Sequence, residues 1–322
     1  MKRRDVIAAL GGAASLPLAA RAQEPRRTYR IGFLAPVLRD SPAMAAFLDE
    51  LRINGFVEGQ NVAIIAEGFG ARKERLAELA TAIVNSRPDA IVGGPEQELR
   101  ALQAATRTIP LLGMSEDMVA AGLVASLSRP SGNITGLSIL SPELDGKRLD
   151  ILAEAVPSAR RIAAFADSNV TSPQHLQRLQ DAARERNIEL MVFGVGKRDD
   201  VLRTIDEAKR AGAEAINFLA SPLFAVNADA FLGHLAVHRL PSMYQWPENA
   251  EQGALVAYGP RLTQVFRQRA RMLVKVLRGT NPADLPVEQP TTFELVINLR
   301  TAKAIGHEVP AGLVLRADKV IE

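Results

Sequence analysis

The chain has 322 residues, 47% of them hydrophobic but only 5% aromatic, and no cysteine. Its formal charge of +3 comes from 39 basic and 36 acidic residues, and the first 22 positions hold Lys2, Arg3, Arg4 and Arg21 against Asp5 alone. Beyond them the charges balance at 35 against 35, which leaves no basic footprint for nucleic acid; without cysteine there is neither a disulfide nor a lipoprotein anchor.

Residues 1–22 read as an export signal. Lys2, Arg3 and Arg4 form a positive start, Val6 to Ala20 carry no charge, and Ala20-Arg21-Ala22 puts small residues at the −3 and −1 positions of a cleavage site. The apolar run is too short to span a bilayer and contains Gly11, Gly12 and Pro17. The paired arginines, with Val6-Ile7 close behind, fit the twin-arginine route. Cleavage near Ala22 is expected to release a soluble protein into the periplasm. No later run approaches the roughly 20 apolar residues of a membrane span.

After a polar linker, short apolar runs alternate with helical patterns. Strands are expected at Arg30–Pro36, Val62–Ala66, Ala90–Val92, Pro110–Met114 and Ile134–Ile139. Helices fall between them, at Pro42–Asn54, Arg72–Asn85 and Glu96–Thr106, with a short one after Met114. Near-continuous apolar strands separated by amphipathic helices are the signature of βαβ units on a parallel sheet covered on both faces.

The second half repeats that order. Arg161–Asp167 matches the first strand, Leu190–Val195 the second, Ala213–Ile216 the third, and Leu240-Pro241 echoes Ile109-Pro110. Ile31 to Ile162 and Ile109 to Leu240 are both separated by 131 positions, and Ile91 to Ile216 by 125. Two similar α/β lobes are therefore expected. Gly253–Gly259 reads as a further strand, Arg261–Leu277 as a long helix, Asn281–Pro290 as a connector, and Phe293–Leu299 as a last strand before a short helix near Thr301–Ile305. That is one strand-helix unit too many for the second lobe, so the chain should return to the first lobe and cross back. The expected division is 29–137 plus 259–287 for lobe 1 and 138–258 plus 288–322 for lobe 2. Several crossings make a hinge, and a hinge makes a cleft.

Ligands in open parallel sheets sit beyond the carboxyl ends of the strands. That rule nominates loops carrying Val37, Phe69, Pro95, Glu96, Ser115, Glu116 and Asp117 in lobe 1. In lobe 2 it nominates Asp167, Ser168, Asn169, Ser221, Tyr244 and Trp246. Their carboxylates, hydroxyls, amides and aromatic rings suit a small zwitterionic or polar ligand. Asp117 and Asp167 serve equally well as helix N-caps, Tyr244 and Trp246 as packing under a Pro-flanked loop, and Glu96 and Glu98 as a solvated first helical turn. Gly93-Gly94 could cradle an anion at a helix N-terminus, but in the absence of a G-x-G-x-x-G or P-loop pattern a tight turn is the favoured reading. His234 and His238 share a helix face at i, i+4, yet no H-E-x-x-H surrounds them, and neither a metal nor any other cofactor is expected. With no cysteine nucleophile and no G-x-S-x-G elbow, the chain looks built to hold something rather than to convert it.

The segments Gly55–Val62 (GFVEGQNV), Ala121–Leu127 (AGLVASL), Pro130–Gly136 (PSGNITG) and Leu140–Leu144 (LSPEL) carry a resemblance, as do Ala283–Thr291 (ADLPVEQPT) and Phe293–Leu299 (FELVINL). In them the chain resembles the substrate-binding proteins of ABC transporters with the type I periplasmic binding fold, in the branch linked to tryptophan and other amino acids. The resemblance implies two Rossmann-like lobes with parallel sheets hinged around a central cleft. It also implies delivery of a small organic solute to an inner-membrane ABC permease by a monomeric receptor. Favoured solutes are amino acids and their derivatives, or aromatic and other carboxylates. In the family's mode, Asp117 or Glu116 would face the ligand's positive group, and Ser168, Asn169 and backbone N–H groups its carboxylate. Three loops depart from the family pattern. Pro95 replaces the threonine of a usual Gly-Gly-Thr and so lacks its hydroxyl. Glu116–Ala120 keeps only Asp117 and Val119 of Gly-Asp-Pro-Val-Gly, and Asp167–Val170 replaces Asn-Pro-Ala-Asn. A receptor that reports to a membrane kinase or chemoreceptor is the nearest alternative, followed by an exported α/β enzyme. A sugar-responsive repressor of the same fold is set aside, since a signal stands in place of its DNA-binding headpiece.

Overall fold

The computed structural model describes residues 27–139, 141–225 and 228–322; the signal expected at 1–22 lies outside them. The first lobe runs β1 (Tyr29–Leu34), α1 (Pro42–Ile53), β2 (Val62–Ile65), α2 (Leu76–Asn85), β3 (Ala90–Gly93), α3 (Glu96–Ala105), β4 (Leu111–Ser115) and β5 (Ile134–Ser138). The second begins with α4 (Ser141–Ala155), β6 (Arg161–Asp167), α5 (Pro173–Glu185), β7 (Glu189–Val195), α6 (Arg198–Arg210) and β8 (Ala215–Phe218). It continues through α7 (Pro222–Ala225), α8 (Ala228–Val237), β9 (Ser242–Tyr244), α9 (Pro247–Gln252) and β10 (Val256–Gly259). Then come α10 (Leu262–Leu277), β11 (Glu294–Asn298), α11 (Leu299–Ile305), α12 (Ala311–Val314) and β12 (Lys319–Ile321).

The strands form two sheets, ordered β2-β1-β3-β4-β5 and β12-β11-β10-β9-β8-β6-β7. The first is parallel throughout. The second is parallel as well, except that β11 is antiparallel to β10, with Val256 opposite Ile297. The reason is topological: β10 runs toward the other lobe, and β11 starts where the chain comes back from it. The short β12 pairs at the edge of β11 and carries too little pattern to be read as a strand. The helix expected after Met114 is instead a series of turns, closed by bonds such as Ala121 N–H to Asp117 O and Leu123 N–H to Met118 O.

Burial on both faces explains the apolar strands: β1 from Ile31 to Leu34 and β6 from Ile162 to Asp167 are buried. On one side of the first sheet α2 buries Leu76, Leu79, Ala80 and Ile83, a helical stripe. On the other side α1 packs along α10, where Phe47 meets Phe266 edge to face and Arg267 reaches Asp49 at 3.1 Å. Helix α10 thus belongs to lobe 1, although β10 before it and β11 after it belong to the other sheet. Ser41 starts α1 by accepting from Met44 N–H, with Pro42 in the first turn.

The chain crosses between sheets after β5, after β10 and before β11. Glu288 still pairs with β5, donating to Gly136 O and accepting from Ser138 N–H. Charged side chains tie the crossings together. The fully buried Arg148 of α4 donates to Asp145 (2.7 Å) and to Tyr258 O (2.8 Å) of β10. Arg261, just before α10, bonds Glu294 at the start of β11 and Glu251 of α9. The Glu294 carboxylate is the largest of the influences that raise the Arg261 pKa. Gly259 passes so close to the Gln245 backbone that a Cβ there would stand 2.0 Å from its carbonyl oxygen.

Candidate functional site

Because the strands of each lobe that point at the cleft are parallel, their carboxyl ends face one another across it. Between them lies a cavity of about 300 Å³. Lobe 1 lines it with the loop after β1 (Ala35 to Leu38, then Ser41 to Ala43), the turn Gly94-Pro95-Glu96 after β3, and Met114, Ser115 and Glu116 at the end of β4. Lobe 2 contributes Val170, Trp246, Glu248 and Gln252; Leu262, Thr263, Phe266 and Arg269 of α10 close one side, and Ile139 of the first crossing adds to the wall. Gly94 is required for the close approach of two of these loops, since a Cβ there would lie 2.9 Å from Ala35 Cα and Pro36 Cδ.

Of the residues nominated from sequence, Val37, Pro95, Glu96, Ser115, Glu116 and Trp246 line this cavity. The others do not. Phe69 stacks on Phe33 with centroids 4.8 Å apart, behind the wall. Asp117 caps the following turn, accepting from Val119 and Ala120 N–H at 3.0 and 2.9 Å. Asp167 accepts from Ser221 Oγ at 2.6 Å and from Asn169 N–H at 2.8 Å, so those three side chains brace the β6 loop. Ser168 N–H is paired with Val195 O. Tyr244 is buried in lobe 2 against Phe218, ring centroids 4.5 Å apart, and burial raises its hydroxyl pKa. Asn169 spans the lobes: its amide oxygen accepts from Lys73 Nζ at 3.0 Å. A second bond across the cleft joins Gln245 Nε2 to Glu116 at 3.4 Å.

The cavity is apolar with a few charged groups, and two of those stand out. Arg269 is 1% exposed, yet no carboxylate of the described residues pairs with it. Its Nη2 donates to Gly93 O (2.6 Å) and Leu112 O (3.1 Å), its guanidinium lies over Phe266, and its Nε has no partner. Desolvation without a counter-charge lowers the guanidinium pKa. Glu248 has one oxygen 3.4 Å from Thr263 N and 3.9 Å from Arg261, while Oε2 is buried without a hydrogen-bond partner. Burial raises its pKa, against the lowering effect of backbone N–H groups and Arg261. Glu96, by contrast, has a counter-charge in Arg100 at 2.7 Å. The expectation of a solvated Glu98 is corrected: it is buried in α3, and desolvation pushes its pKa up to about 7.

Sequence inspection missed the contributions of α9 and α10, which lie outside the βα loops of either lobe. One signal was there. Arg269 occupies the apolar stripe of α10, between Val265-Phe266 and Met272-Leu273, where a lone charge needs a partner.

The family model of ABC transporter substrate binding proteins matches residues 35–321. The chain belongs to that family. Among curated proteins, it is 25% identical over 267 residues to a tyrosine-binding protein of Clostridioides difficile (strain R20291), covering 82% of this chain and 76% of the other. A conserved domain protein from Vibrio cholerae has a TM-score of 0.82 at 24% identity, covering 92% of this chain and 99% of its own. A domain from Streptococcus pneumonia solved in complex with L-Trp scores 0.81 at 22% identity, covering 91% and 100%. A ligand-free, open structure of a substrate binding protein with adhesive properties from Clostridium difficile covers 92% and 99% at 23% identity but scores 0.64. Among the described residues, no helix is long and apolar enough to cross a membrane.

Proposed function

We propose that this protein is the periplasmic receptor of an ABC importer and binds a zwitterionic amino acid, or a close derivative, with an apolar or aromatic side chain. The observation that carries this reading is the pair of incompletely compensated charges in one interlobe cavity, Arg269 on the lobe 1 side and Glu248 on lobe 2. Buried charges without partners are costly, and a ligand bearing both a carboxylate and an ammonium group supplies both counter-charges. Arg269 would receive the carboxylate, Glu248 and Glu116 would face the ammonium, and Trp246, Phe266 and Met114 would enclose the side chain. A tyrosine-binding relative and a neighbour solved with L-Trp support the ligand class.

The lobes are taken as 29–137 with 259–287 and 138–258 with 288–322. The receptor is read as a monomer exported by its amino-terminal signal, which gives up its solute to an inner-membrane permease and performs no chemistry on it. The test is a thermal-shift panel on ligand-stripped protein, with L-Tyr, L-Trp, L-Phe, aliphatic amino acids and aromatic carboxylates. A true ligand at 100-fold its Kd stabilises by about 2.7 kcal/mol and changes the emission of Trp246, the lone tryptophan. No shift with any member of the panel sinks the reading.

A further inference from the structure

On the outer face of lobe 2, far from the cleft in topology, α6 and α8 bring three metal-ligating side chains to one point. His234 and His238 stand one helical turn apart at the end of α8, and Asp206 faces them from α6. His234 Nε2 lies 2.7 Å and His238 Nε2 2.8 Å from the same atom, Asp206 Oδ1. The two rings meet edge to face with centroids 4.8 Å apart, and the three donor atoms all lie within 4.8 Å of one another. Each side chain keeps solvent access, at 28%, 27% and 44%.

We propose that Asp206, His234 and His238 form a site for a divalent transition-metal ion of the Zn²⁺ type. Two imidazole nitrogens and one carboxylate oxygen are a common donor set for such ions, with water in the fourth position. Tetrahedral bonds of about 2.0–2.2 Å place neighbouring donors about 3.3 Å apart. The present nitrogen–oxygen separations need open by only about half an ångström to admit the ion. Helix polarity also helps, since His238 follows the last turn of α8, where backbone carbonyls favour a cation. The imidazole content disfavours Mg²⁺ and Ca²⁺, which take oxygen ligands. The site is separate from the solute cavity: α8 ends at the approach to the amino end of β9, whereas the cavity lies beyond that strand's carboxyl end.

The test is calorimetric titration of tag-free mature protein with ZnCl₂, beside CaCl₂ and MgCl₂, using wild type, Asp206→Asn and the His234→Ala/His238→Ala double variant. Metal-free melts and circular dichroism establish that the variants fold. The expected result is one saturable Zn²⁺ per wild-type chain, a Zn²⁺-dependent rise in Tm reversed by chelation, and at least about tenfold weaker binding in either variant. Absence of stoichiometric binding to wild type overturns the proposal. So does undiminished binding to folded variants, which would place the ion elsewhere.

Discussion

Glu98 is a buried carboxyl whose cost can be read out by pH. It is 8% exposed in α3, and desolvation pushes its pKa up to about 7 from an ordinary 4.5. Below about pH 4.5 the folded and unfolded chains both hold the proton. Between 4.5 and 7 the folded chain keeps a proton that the unfolded chain has released, so stability falls as pH rises, and above 7 the loss is complete. A separation of about 2.5 pH units, at about 1.4 kcal/mol each, amounts to about 3 kcal/mol. Glu98→Gln keeps the shape and removes the charge. It should therefore gain about 3 kcal/mol over wild type between pH 4.5 and pH 8, or roughly 6–12 °C in Tm. Calorimetric melts of both proteins at half-unit pH intervals measure the gap. A Tm difference that stays constant from pH 5 to pH 8 would refute the assignment of the cost to a desolvated carboxylate.

Three further outcomes are expected. Arg269→Met removes a cation that no carboxylate of the described residues offsets; ligand-free Tm should stay within about 3 °C of wild type, while the solute-dependent rise falls by more than half in the thermal-shift assay. Glu248→Gln retains an acceptor for Thr263 N–H and should weaken binding of the amino acid about 10- to 100-fold. It should leave the corresponding amine-free carboxylate within threefold, measured by titration of Trp246 emission. Lys73→Ala deletes the bond to Asn169 across the cleft, which should raise the solute Kd by about 2- to 5-fold and enlarge the radius of gyration of the solute-saturated protein in X-ray scattering.

Much of the fold was legible because a doubly covered parallel sheet writes its strands as unbroken apolar runs. Arg161–Asp167 was read to the residue, and the repeat of strand order between the halves announced two lobes. What escaped followed from contacts between distant segments. The antiparallel β11 depends on where the chain re-enters lobe 2, which no local pattern encodes. In the cavity, the loops after β1, β3 and β4 were found by the strand-end rule, whereas Tyr244 went the other way. An aromatic at the end of a three-residue strand alternates with its neighbours, and Tyr244 falls on the face packed against Phe218. Asp117, Asp167 and Ser221 follow the capping and bracing alternative that short polar side chains after a strand always offer. The His234–His238 pair was visible as a spacing, but its carboxylate comes from Asp206, 28 positions earlier on another helix.

Arg269 and Glu248 together offer a physical reason for solute-coupled closure. A ligand shifts an open–closed equilibrium only by its differential affinity for the two states. Apolar walls alone would reward closure with or without solute, because burying apolar surface needs no ligand. The charges oppose this: with the cleft empty, Glu248 Oε2 is buried with no donor, and Arg269 has two carbonyls and a ring. In the proposed binding mode a zwitterion would change the balance, since its carboxylate and ammonium would meet one charge from each side of the cleft. Desolvation that penalises the empty closed form then strengthens the ligand's ion pairs in the filled one. On this basis Arg269→Met should weaken solute binding and at the same time make the ligand-free protein more compact. Scattering profiles of the ligand-free variant and wild type decide the point: equal radii would mean that the apolar contacts, and not the buried charges, set the resting position of the lobes.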